Sequence, residues 1–124
     1  MADTTEKQAV LSEALKFRWI FIMSLKKQYL KSKPVCKVTF RLNAEEAQNA
    51  GTASLVGDFT DWEANSLPMK KLKNGDFTLT VDLEKDHDYQ FRYLLDDEKW
   101  ENDWQADGYI PSSVSFDDNS LVSV

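Results

Sequence analysis

The chain opens with helical spacing and then changes period. Leu11, Leu15, Trp19 and Ile22 recur at intervals of three and four, Phe17 and Phe21 widen the stripe, and Ala9, Glu13, Ala14 and Lys16 are good helix formers. This pattern predicts a helix over residues 6–30. Ser32-Lys33-Pro34 ends it, because proline cannot continue a helix and biases its predecessor toward extended geometry. From Val35 onward the apolar positions fall at every second residue. Cys36, Val38, Phe40 and Leu42 share one face and Lys37, Thr39 and Arg41 the other, the pattern of a half-buried strand. The polar stretch 43–51 reads as a loop, and Ala53–Gly57 as a second strand running into Asp58-Phe59-Thr60-Asp61-Trp62. Residues 67–73 and 76–83 flank Asn74-Gly75, the pair favoured in two-residue hairpin turns. Over 88–95, Tyr89, Phe91 and Tyr93 alternate with Gln90, Arg92 and Leu94; a loop carrying Trp100 and Trp104 follows, and 119–124 supply a last short strand. Six or seven short strands separated by turn signals predict an all-β, antiparallel β-sandwich preceded by an N-terminal helix.

A length of 124 residues suits one domain, divided by pattern into a helical extension over 1–32 and a sandwich module over 33–124. The net charge of −6 disfavours nucleic acid as a partner. It is unevenly spread: residues 1–41 carry nine Lys/Arg against three Asp/Glu, and residues 42–124 carry six against eighteen. One Cys and one His leave no internal disulfide and no His-rich metal site, and no cofactor is expected. The most apolar run, residues 17–23, is broken by Arg18 and is far shorter than the ~20 residues a membrane span needs. Acidic Asp3 and Glu6 at the start do not fit a secretion signal, so a cytoplasmic location is expected.

Carboxylates crowd the stretch holding Asp96, Asp97, Glu98, Glu101, Asp103 and Asp107. A glycosidase needs two of them across an enclosed cleft, which a small sandwich offers poorly. Asp103, Gln105, Asp107 and Gly108 open like a calcium loop, but Gln105 is the wrong ligand and Val114 stands where the terminal Glu belongs. No glycine-rich phosphate loop is present, His87 sits in a charged turn, and Cys36 falls on an apolar strand face. The aromatics are the better lead. Trp62 and Trp100 each follow an acidic turn at a strand end, and flat indole faces suit the C–H faces of sugar rings, each contact contributing ~1 kcal/mol on the scale of aromatic pairs.

Gly57-Asp58-Phe59-Thr60-Asp61-Trp62 resembles the G-x-F-N-x-W signature of family-48 carbohydrate-binding modules, also called isoamylase early-set domains. The family includes the glycogen-binding domain of the AMP-activated protein kinase β subunit. The resemblance runs from about Lys33 to Val124, taking in the Asn74-Gly75 hairpin, Tyr89–Tyr93, the Trp100 loop and Asn119–Val122. It implies an Ig-like sandwich of early-set type. It also implies that Trp62 and Trp100 stack on sugar, that Arg92 stands where the kinase domains have a sugar-contacting Lys, and that Asn119 hydrogen-bonds hydroxyls. Asp117 replaces a Thr beside Asn119, and Ser115 or Phe116 stands where a Leu threads a cyclic glucan. Trp104 matches no family binding position and is expected to matter less.

Two readings follow from the resemblance. The first is non-catalytic binding of α-1,4-glucan, that is glycogen, starch or maltooligosaccharide. The second is a regulatory module docking on a glycogen-metabolising enzyme or kinase. The sequence from Met23 onward resembles short bacterial proteins made of this module alone, so a protein beginning at Met23 is expected to fold and to melt within a few degrees of the full chain. Loss of soluble protein on that truncation would place Trp19 and its neighbours in the core.

Overall fold

The structure, a computed structural model, describes residues 24–113, 115 and 117–124. Among them, nine strands build two antiparallel sheets: β1 (Leu25–Tyr29), β2 (Val35–Leu42), β3 (Ala53–Gly57), β4 (Lys70–Lys71), β5 (Phe77–Glu84), β6 (Asp88–Leu95), β7 (Lys99–Glu101), β8 (Gly108–Pro111) and β9 (Asp118–Ser123). The first sheet runs β1-β2-β5-β4 and the second β3-β6-β9-β8, with β7 also paired to β6.

The alternation in β2 decides which face is buried. Cys36, Val38, Phe40 and Leu42 are fully buried, while the residues between them stay half-exposed. They meet Leu55, Phe91, Tyr93, Leu95 and Val122 of the second sheet in one apolar cluster. The Phe40 ring meets Phe91 edge-on, with centroids 5.1 Å apart and an interplanar angle of 76°. Each large apolar side chain so buried contributes ~1.5–3 kcal/mol relative to exposure, and this holds the two sheets face to face as a sandwich. No helix among the described residues is long and apolar enough to cross a membrane.

Three expectations change. The predicted helix does not extend to residue 30: Leu25–Tyr29 form a strand in full register with β2, from Leu25 opposite Phe40 to Tyr29 opposite Cys36. The helical stripe ends at Ile22, and within β1 only Leu25 is apolar and buried, so pairing with the open edge of β2 outweighs local propensity. The described sandwich therefore begins with β1 rather than at residue 33, and the remainder of the predicted helix lies outside the described residues. The Asn74-Gly75 turn is longer than two residues. Gly75 takes φ +95° and donates its N–H to the Leu72 carbonyl, and Asn74 is not among the residues at positive φ. Asp76 sets this geometry, because its carboxylate accepts from Arg41 and from the Ala44 N–H across the sheet end. Finally, β7 and β8 fall within what reads as loop. Lys99-Trp100-Glu101 is too short to show a period, and β8 is an edge strand closed by Pro111, a position where proline's missing N–H costs nothing.

Candidate functional site

The outward face of the second sheet carries the residues singled out from sequence. Inward-facing Phe91, Tyr93 and Leu95 leave Gln90, Arg92 and Leu94 on the other side of β6. Trp62 lies just past β3. After Gly57 the chain makes a single 3-10 turn, Asp58–Thr60, and then two residues take left-handed backbone, Asp61 at φ 52° and Trp62 at φ 60°. Asp tolerates that conformation; for Trp it costs on the order of 1 kcal/mol or more. Several hydrogen bonds hold it there. Thr60 Oγ1 bonds both the N–H and the carbonyl of Gly57, and the Trp62 N–H donates to the same carbonyl at 2.9 Å. Asp58 completes the arrangement: Oδ1 accepts the Trp62 indole N–H at 2.9 Å, and Oδ2 accepts the Gln90 backbone N–H at 2.8 Å. Trp62 remains 37% exposed, its ring angle fixed from beneath.

Trp100 is carried by β7, directly opposite Leu94, and is 44% exposed. Arg92 and Asn119 lie on the same face but are buried, each 8% exposed, and are bonded to one another: Arg92 Nε donates to Asn119 Oδ1 at 2.6 Å. Asn119 Nδ2 donates to Gln90 Oε1, while Arg92 Nη2 donates to Ser115 Oγ and the Asp117 carbonyl. A continuous chain thus runs from the Trp62 indole through Asp58, Gln90, Asn119 and Arg92 to Asp117. Among the described residues the partners of the buried guanidinium are neutral oxygens, so its charge strengthens these bonds and braces Ser115 and Asp117. Asp117 is exposed and, with Trp100, Gln48, Lys99, Asp96 and Leu95, lines a groove of about 480 Å³. Phe116 lies outside the described residues, and its assignment rests on the resemblance alone.

Sequence reading missed the supports. Asp58 reads only as part of a polar loop, and Gln90 carries no signal beyond sharing the period-two face of Arg92. Glu46 was hidden altogether. In the 43–50 loop, Asn43 and Glu46 exchange side-chain-to-backbone hydrogen bonds, and Glu46 Oε2 accepts the Trp104 N–H at 3.0 Å. Glu46 is buried, which pushes its pKa up to about 7, with Asp103 and Glu101 nearby adding to the rise against the two N–H donors. Burial likewise raises Asp103, whose Oδ2 accepts the Tyr93 hydroxyl at 2.7 Å and whose Oδ1 accepts the Gln105 N–H.

Raised pKa values in the folded state mean that folding takes up protons. The stabilisation from Glu46 is complete below its ordinary value of 4.5 and fades as pH rises through about 7. Between pH 5 and pH 8 the protein is expected to lose roughly 2 kcal/mol on this account, a figure below the full shift because solvent near the loop screens the charge. Denaturant unfolding at both pH values measures it. Glu46→Gln should flatten the decline, leaving only the share from Asp103, and an unchanged decline in that variant would assign the dependence elsewhere.

Asp96, Glu101 and Asp107 of the acidic stretch are occupied in holding loops. Asp96 accepts the Gly51 and Thr52 N–H groups, Asp107 binds Lys27 and the Ser123 N–H, and Glu101 binds Gln48 and the Trp104 indole. Asp103, with the raised pKa that suits a general acid, is 1% exposed and touches no surface a substrate could reach. Among the described residues, no three His, Cys, Asp or Glu side chains gather as metal ligands.

No curated protein matches the chain significantly. A family profile does match: carbohydrate-binding module 48, the isoamylase N-terminal domain, over residues 28–110. The matched range holds Trp62, Arg92 and Trp100, while Phe116, Asp117 and Asn119 lie beyond it. Matched over well more than half its length, and folded as two antiparallel sheets with aromatic side chains exposed beside one of them, the chain belongs to the carbohydrate-binding module 48 (isoamylase N-terminal domain) family.

Proposed function

We propose that this module binds α-1,4-linked glucan, whether glycogen, starch or maltooligosaccharide, and does not cleave it. The observation that carries the reading is the pair of exposed indoles, one held at a fixed angle by Asp58 and the other mounted on β7. Immobilised aromatic faces stack on sugar C–H faces without a large loss of side-chain freedom on binding. In this reading Arg92 and Asn119 act as positioning residues that brace Ser115 and Asp117, and exposed Asp117 with Gln48 and Lys99 meets hydroxyls in the groove beside Trp100. Two stacks and a few solvated hydrogen bonds correspond to a Kd on the order of 0.1–1 mM.

Titrating isotope-labelled protein with maltoheptaose tests it. The indole signals of Trp62 and Trp100 should move together and saturate, with no release of reducing ends. Retention on glycogen beads should be lost when maltoheptaose competes; retention that the oligosaccharide leaves untouched would point to docking on a bead-associated enzyme instead. Binding is expected to survive EDTA, since the groups assigned to the sugar are aromatic rings, amides and isolated charges rather than a ligand cage. A large loss on chelation would contradict that assignment.

A further inference from the structure

We infer that Trp104 is a further sugar-stacking position, engaged by glucan chains long enough to run on from the groove beside Trp100. The inference rests on the glucan-binding reading above and extends it.

Trp104 is 51% exposed, more than either Trp62 or Trp100. It is held by the same device as Trp62. Its indole N–H donates to Glu101 Oε2 at 2.9 Å, and the other oxygen of that carboxylate is anchored, accepting Gln48 Nε2 at 2.8 Å. In the Trp62 case the carboxylate is Asp58 and the anchor is the Gln90 N–H. The backbone is pinned as well, by Glu46 beneath the Trp104 N–H and by the Tyr109 hydroxyl, which closes the loop onto the Asp103 carbonyl at 2.5 Å. An indole has one polar group, and here a carboxylate consumes it. What remains for solvent is apolar ring, fixed in place and unsuited to hydrogen bonding.

The occupant follows from what adjoins the ring. Gln48, which anchors Glu101, also bonds Lys99, and both line the groove with Trp100. Trp104 follows Trp100 by four positions, so their Cα atoms lie within about 14 Å, a span one oligosaccharide can bridge. The rim between them is amide, ammonium and carboxylate, groups that hydrogen-bond hydroxyls. A short maltooligosaccharide would fill the Trp62 and Trp100 positions alone, and only a longer one would reach Trp104.

The experiment compares maltotriose with maltoheptaose. On the unaltered protein, the Trp104 indole signal should move with maltoheptaose and stay still with maltotriose, while Trp62 and Trp100 respond to both. Trp104→Ala should bind maltotriose unchanged and maltoheptaose about fivefold more weakly, the equivalent of ~1 kcal/mol. A Trp104 signal unmoved at maltoheptaose saturation overturns the inference, and so does a variant whose loss is equal for the two sugars. Because the first measurement uses the unaltered protein, a misfolded variant leaves the inference decidable. Failure of the underlying reading looks different: none of the three indole signals would then respond to either sugar.

Discussion

Gly57→Ala is expected to destabilise the domain by about 3 kcal/mol or more, near the top of the range for overpacked cores. The cause is close approach rather than backbone conformation, since Gly57 is extended, with φ −174°. A Cβ added there would lie 2.4 Å from the Gln90 carbonyl oxygen and 2.8 Å from Phe91 Cβ. Neither atom is the end of a flexible side chain, so relief requires β3 and β6 to separate. That separation would also draw Asp58 away from the Gln90 N–H and release the Trp62 indole, coupling stability to the binding face. Gly51→Ala is the control: its added Cβ meets nothing closer than Asp96 Oδ1 at 3.4 Å, and its effect should stay within ~0.5 kcal/mol. Urea midpoints of the two variants check this. If Gly57→Ala proves as stable as Gly51→Ala, the two strands are more loosely apposed than the structure has them, and the glycine that opens the family signature has another purpose.

How much of this was legible in the sequence depends on whether a feature is local. β2 announces itself because four alternate residues are wholly buried and the three between them are Lys, Thr and Arg. β1 does not, because a strand with one buried apolar residue has no period and exists only through its register with β2. The turn at Asn74-Gly75 was readable as a turn but not as to length, because Asp76 answers to Arg41 and Ala44, more than thirty residues away. The site divides in the same manner. Trp62 and Trp100 stand out by residue type and motif, and the structure exposes both. Arg92 was legible as outward-facing by alternation, yet it is buried, with Asn119 of β9, Ser115 and the Asp117 carbonyl bonded to it. Asp58, Gln90 and Glu46 act through strand register and loop closure, which no window of sequence displays.

Trp62→Ala and Trp100→Ala are each expected to take maltotriose binding below detection while leaving the melting temperature within a few degrees. Both rings keep more than a third of their surface in solvent, and neither belongs to the apolar cluster between the sheets. Truncating a buried tryptophan would typically cost ~3–5 kcal/mol of folding stability, so the thermal measurement separates a platform from a core residue. Losing one stack, ~1 kcal/mol, lowers affinity about fivefold, enough to push a site near 0.1–1 mM out of reach of a titration. The two variants should differ in one respect. Trp62→Ala leaves an alanine in left-handed backbone and frees Asp58 Oδ1, so the loop after β3 should loosen and the Gln90 amide should exchange faster with solvent. Trp100→Ala removes a side chain whose strand pairing is made by backbone alone, and that amide should be unaffected. Stable, non-binding proteins with this difference in exchange support two sugar-facing platforms held by distinct means. If both variants unfold, or both remain folded and bind maltoheptaose normally, Trp62 and Trp100 are not the sugar platform.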